Sequence, residues 1–133
     1  MDDDAVLERI LDHASRPRKK GRLEPADLVQ PGGNPGCGDV LVWMWRLDPD
    51  DRIVELGWEG HGCNLSMAGA SLLSERLAGK SLQEVIALPH DMLIGLLGGR
   101  LALTRPLCSS LALNTAKTAA HRLLRERGRP VKD

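Results

Sequence analysis

The stretch Val40-Leu41-Val42-Trp43-Met44-Trp45-Arg46-Leu47, followed after a turn by Ile53-Val54-Glu55-Leu56-Gly57-Trp58, decides the fold. Side chains alternate across a strand, so Leu41, Trp43, Trp45 and Leu47 fall on one face and Val40, Val42, Met44 and Arg46 on the other. In the second run Val54, Leu56 and Trp58 share a face, while Glu55 and Glu59 turn away. Asp48-Pro49-Asp50-Asp51 between them has the composition of a turn, and the pair predicts an antiparallel hairpin. Trp43, Trp45 and Trp58 are expected in its buried face rather than in a binding surface.

Outward from the hairpin the period changes from two to that of helices. Upstream, residues 4–15 carry Val6, Ile10 and His13 on one stripe with Leu7 and Leu11 beside it, and Pro17 ends that helix. His13, at the stripe, is expected to be a satisfied core or boundary histidine. Residues 16–36 lack a clear period. The clusters Gln30-Pro31-Gly32-Gly33 and Asn34-Pro35-Gly36 read as a loop, with a short edge strand near Leu23–Val29. Downstream, a helix is predicted over 65–78, capped by Asn64 or Ser66. Ser81 with Glu84 three residues on gives the capping box of a short helix. Another spans Asp91–Leu97 before Gly98-Gly99, and a long one runs from Pro106 to Arg127. The charged tail, about 126–133, is expected to fray. Strands followed by helices predict an α+β class: a small antiparallel sheet of about three strands with helices on one face, in a single domain over 1–133.

Composition narrows the function. Of 133 residues 42% are hydrophobic, enough for a core without disulfide or metal staples. Eighteen basic residues balance 18 acidic ones, so the net charge of zero exerts no general pull on nucleic acid or anionic lipid. Tyr and Phe are absent, which argues against base-stacking modules. No run approaches the roughly 18 apolar residues that span a bilayer. The start Met1-Asp2-Asp3-Asp4 is acidic where a secretory signal is basic and then apolar, so a cytoplasmic protein is expected, a monomer or weak oligomer without nucleic-acid or membrane partners.

Three cysteines remain, Cys37, Cys63 and Cys108, an odd number far apart and unlike a disulfide framework. Each stands where the chain changes structure. Cys37 ends the Gly/Pro loop, Cys63 lies between a strand end and a helix start, and Cys108 is in the first turn of the last helix. Helix N-termini favour negative charge and so the thiolate, which is both nucleophile and metal ligand. Asp39, two residues after Cys37, shares its strand face. Three thiolates and one carboxylate make the four ligands that tetrahedral zinc or a cluster edge requires. The competing readings are buried cysteines acting as small hydrophobes, a structural zinc domain that only binds a partner, and a metal-free thiol enzyme with Cys63 as nucleophile and His61 nearby. His61 itself, as ligand, proton donor or solvated loop residue, is best read as the last.

The motifs together resemble one family. Leu11-Asp12-His13 with Arg16-Pro17-Arg18 and Gly21, then Asn34-Pro35-Gly36-Cys37-Gly38-Asp39, then Gly60-His61-Gly62-Cys63 with Ser66-Met67-Ala68-Gly69-Ala70-Ser71, then Arg105-Pro106-Leu107-Cys108 are similar, in order, to the NifU N-terminal, IscU and SufU family of iron–sulfur cluster assembly proteins. The resemblance covers about residues 8–125. It implies that Cys37, Asp39, Cys63 and Cys108 bind zinc or iron, or carry a transient [2Fe–2S] cluster. It further implies that sulfur arrives as persulfide from a cysteine desulfurase and leaves to acceptor or carrier proteins. Cys37, on the Gly-rich loop, and Cys108, at its helix start, are the two candidates to accept the persulfide. Lys19 replaces the usual Asn of the opening run, Leu107 stands where IscU-type members have histidine, and Leu101–Leu107 replaces their chaperone-read Leu-Pro-Pro-Val-Lys stretch. Arg105 and Ser66-Met67-Ala68 are SufU-like, yet the SufU insertion between the second and third cysteines is missing.

Overall fold

The alternation in the hairpin forms as expected and recruits a third strand on one side. The computed structural model describes residues 3–34 and 38–128. Strands β1 (Leu28–Asn34), β2 (Asp39–Leu47) and β3 (Ile53–His61) form an antiparallel sheet in the order β1-β2-β3. Around it lie α1 (Asp3–Ser15), α2 (Asn64–Leu77), α3 (Leu82–Ala87), α4 (Met92–Leu96), a 3-10 turn (Ala102–Thr104) and α5 (Pro106–Glu126). The class is α+β, as predicted. Leu41, Trp43, Trp45 and Trp58 form the inner sheet face and join one core with Leu73, Leu77, Leu113 and Ala116 of α2 and α5. The indole N–H of Trp43 donates to Ala112 O at 3.1 Å, which fixes α5 on the sheet.

Three expectations are corrected. Gln30–Asn34 is not a loop but most of β1, and the predicted strand over 23–29 lies too far upstream. Here Gly32 serves close approach rather than a turn: a Cβ on it would fall 2.2 Å from Thr115 Oγ1 of α5. Pro31 is tolerated because β1 is an edge strand. Val54, expected inward, is 55% exposed. Arg46 pairs with Glu55 but Leu47 with Ile53, so Val54 is the extra residue of a bulge and Ile53 takes the buried place. Finally, neither Asn64 nor Ser66 caps α2; Cys63 occupies the N-cap position, with no side-chain cap bond. The Ser81–Glu84 capping box forms with both bonds.

The opening run Asp12-His13…Arg16-Pro17-Arg18 is a clamp. Arg16 and Arg18 both pair with Asp12. The carbonyl of Arg18 accepts from Trp58 Nε1 at 2.8 Å and from Ser74 Oγ at 3.2 Å, tying the segment to the sheet and to α2. Ser71 Oγ accepts the Arg18 N–H at 2.8 Å and shares a 2.6 Å hydrogen bond with His13 Nδ1. His13 is thereby a satisfied core histidine. At the far end Lys117 Nζ closes α3 by donating to Ile86 O and Leu88 O, and Arg127 pairs with buried Asp51. Among the described residues no helix is long and apolar enough to cross a membrane.

Burial, the largest influence, holds the His13 pKa below the ordinary 6.5. The folded chain therefore favours neutral His13, so this stabilisation is complete above about 6.5 and lost as pH falls toward the folded value. Between pH 7.5 and 5.5 the urea midpoint of the wild type should fall further than that of His13→Gln. Equal falls would show that His13 does not carry the pH dependence.

Candidate metal centre

Antiparallel pairing puts the start of β2 beside the end of β3, with Val40 opposite His61. The first residue of β2, Asp39, therefore meets Cys63, two residues beyond β3 at the head of α2. Packing of α2 on α5 adds Cys108, the third residue of α5. One ligand atom from each of Asp39, Cys63 and Cys108 lies within 4.8 Å of the others. Asp39 and Cys108 are buried and Cys63 is half-buried.

The carboxylate of Asp39 is held from several sides. Cys63 N–H donates to Oδ1 at 3.0 Å, and Asn34 Nδ2 reaches Oδ2 at 3.4 Å and Leu107 O at 3.0 Å. One amide thus links the end of β1, the start of β2 and the first turn of α5. A Cβ at position 62 would fall 2.2 Å from Asp39 Oδ1, which accounts for Gly62. Gly38, with φ +72°, lets the chain turn into β2. Ser66 Oγ lies 3.5 Å from Cys63 Sγ and 3.4 Å from Cys108 O.

These contacts set the charges. Burial pushes the Asp39 carboxyl up, but hydrogen bonds from the Cys108 thiol, Cys63 N–H, Ser66 and Asn34 outweigh it and hold the group below its usual range. Burial likewise raises Cys63, but the Ser66 hydroxyl and N–H together with the Cys108 thiol bring it below the ordinary thiol value. Cys108 is pushed up to about 12 by burial and by its hydrogen bonds to Asp39 and Cys63. The expectation that its helix start makes Cys108 a ready thiolate is thus corrected: the helix field is outweighed by burial and by the neighbouring Asp39 and Cys63. With no metal bound, Asp39 favours its charged form, Cys108 its neutral thiol, and Cys63 ionises more readily than an ordinary cysteine.

A cation that displaces the Cys108 proton suits this donor set. Zinc bonds of about 2.0–2.3 Å place tetrahedral ligand atoms about 3.3–3.8 Å apart, inside the 4.8 Å within which these three atoms lie. Two sulfurs favour a thiophilic ion, zinc or iron. The predicted fourth ligand, Cys37, lies outside the described residues. His61 is exposed at the end of β3 and is not in the ligand group, in keeping with the solvated reading. Arg105 is the exposed N-cap residue of α5. Sequence reasoning missed the parts played by Asn34 and Ser66; only the invariable need of a buried carboxylate for donors pointed to such neighbours.

In metal-free protein treated with iodoacetamide, mass spectrometry should show Cys63 alkylated well before Cys108, with the Cys63 rate levelling off below pH 9. The reverse order would refute this charge assignment.

Comparison with known proteins agrees with the site. A model of the NifU-like N terminal domain matches residues 6–129. The iron–sulfur cluster assembly scaffold protein IscU of Aquifex aeolicus is 33% identical over 123 residues, covering 92% of this chain and 78% of that protein. The zinc-dependent sulfurtransferase SufU of Bacillus subtilis is 35% identical over 89 residues, 65% of this chain and 59% of that one. A crystal structure of a candidate iron–sulfur scaffold of the SUF system from Fervidobacterium islandicum AW-1 superposes with a TM-score of 0.75 at 26% identity, over 90% of this chain and 99% of the other. With the domain model spanning nearly the whole chain, and with Asp39, Cys63 and Cys108 gathered at one point, the protein belongs to the NifU N-terminal, IscU and SufU family of iron–sulfur cluster assembly proteins.

Proposed function

We propose that residues 1–133 act as one IscU/SufU-like domain that takes sulfur as persulfide from a cysteine desulfurase and builds a [2Fe–2S] cluster, or passes on the sulfur, for acceptor proteins. The observation that carries this reading is the convergence of Asp39, Cys63 and Cys108 from three separate elements to within 4.8 Å. Cys37, two residues before Asp39, is the fourth member of the set. Zinc or iron held by these residues would supply the positive charge that lets neighbouring thiols ionise together. The protein works in the cytoplasm as a monomer or weak oligomer, without nucleic acid or membrane.

Sulfur transfer is redox-neutral. A site thiolate attacks the outer sulfur of the donor's Cys–S–SH, a new S–S bond forms, the donor's S–S bond breaks, and the donor leaves as thiolate. The persulfide proton stays with the transferred sulfur. Of the two candidate acceptors, Cys108 is buried and keeps its proton, which favours Cys37 on the chain between β1 and β2. Arg105, exposed at the head of α5, and His61, at the end of β3, are supporting residues at the rim.

A second reading, a zinc-bound sulfur-transfer protein without its own cluster, is supported by the likeness to the Bacillus SufU. A purely structural zinc domain fits less well, because a carboxylate among thiolates makes a weaker and more labile site than a closed Cys/His set.

Protein purified without oxygen should contain either about one zinc and no acid-labile sulfide, for sulfur transfer, or iron and sulfide in equal amounts, for a scaffold. Neither, with the thiols free, refutes the site. If the hard carboxylate oxygen loosens the hold on cluster, Asp39→Ala should lengthen the lifetime of a reconstituted cluster severalfold; an unchanged decay rate would remove that role.

A further inference from the structure

Four buried serines lie in α2 and α5, and three have structural partners. Ser71 serves His13 and Arg18, Ser74 Oγ lies 2.7 Å from Ser71 O and 3.2 Å from Arg18 O, and Ser109 donates to Ala102 O at 2.9 Å. Ser66 differs. It is 2% exposed in the first turn of α2, yet it does not cap that helix. Its hydroxyl faces Cys63 Sγ at 3.5 Å and Cys108 O at 3.4 Å. A hydroxyl has one proton to donate. Toward Cys108 O only the hydroxyl can donate, whereas in the contact with Cys63 either atom can; once Cys63 is a metal thiolate, the hydroxyl is the donor there too.

We propose that Ser66 is a positioning residue of the metal centre: its hydroxyl, shared between Cys63 and the Cys108 turn, holds the two cysteine ligands at the spacing that one thiophilic cation requires. A hydroxyl placed beside a metal thiolate also withdraws electron density from the sulfur, as outer partners of ligands commonly do. The inference rests on the metal-binding part of the proposed function and adds a residue to it. Ser66 thereby links the first turns of α2 and α5, on which the two thiols stand.

The test uses the full chain with zinc titrated against a chromophoric chelator, and with cobalt(II) for its sulfur-to-metal absorption bands. Ser66→Ala should bind zinc about 10–100-fold more weakly, the usual cost of losing an outer-shell partner. Its cobalt charge-transfer band should move to longer wavelength, because the sulfur has lost a donor. Ser74→Ala, in the same helix but bonded only to structural partners, should leave both readouts at the wild-type value. Wild-type affinity and an unmoved band in Ser66→Ala would overturn the proposal, as would an equal loss in Ser74→Ala, which would mark a general effect of loosening α2. If the wild type binds neither zinc nor cobalt, the proposed metal site fails first, and this inference fails with it.

Discussion

The carboxylate of Asp39 is the group on which the arrangement turns. It is 1% exposed and charged, so it must be surrounded by donors, and the donors come from separate parts of the chain. Cys63 N–H fixes the head of α2 to it, Asn34 fixes the end of β1 and, through Leu107 O, the start of α5. The thiol of Cys108 completes the circle. Elements that are distant in sequence are thereby brought to one point, which is the point where a cation would sit.

The same burial creates an electrostatic tension. Cys63, a thiol that ionises more readily than usual, lies beside the carboxylate, and Cys108 keeps its proton. Ionising both thiols beside Asp39 without adding a cation would put three negative charges in a buried site, which is strongly disfavoured. Metal loading and proton release are therefore coupled, as at other thiolate sites.

Away from the ligands, the fold is held by its own contacts. The clamp built on Asp12, His13 and Arg18 grips α2 at Ser71 and Ser74, about two to three turns from the ligand end, and reaches the sheet through Trp58. The tryptophan face holds α5 through Trp43 and Ala112. Gly62 and Gly32 allow approaches that any side chain would block, one at the carboxylate and one where α5 lies on β1. The motif residues thus divide into ligands and the packing that aims them.

Much of this was legible in the chain itself. Alternation around Trp43 and Trp45 determined the hairpin, the helical stripes and the Ser81–Glu84 capping box determined helices to within a residue or two, and glycine-flanked cysteines at element boundaries marked the site. These are local signals, since propensity, period and capping act over a few neighbouring residues. What escaped was non-local. Gln30–Asn34 is a strand because β2 and α5 receive it, and Val54 turns outward because the ladder slips by one residue. The protonation of Cys108 against the pull of its own helix, and the turn of Ser66 toward the ligands, follow from burial and from the packing of α2 on α5, which sets Cys108 O, 42 positions away, against Ser66. Only the tertiary structure decides such matters, because desolvation and hydrogen bonding depend on who is adjacent in space rather than in sequence.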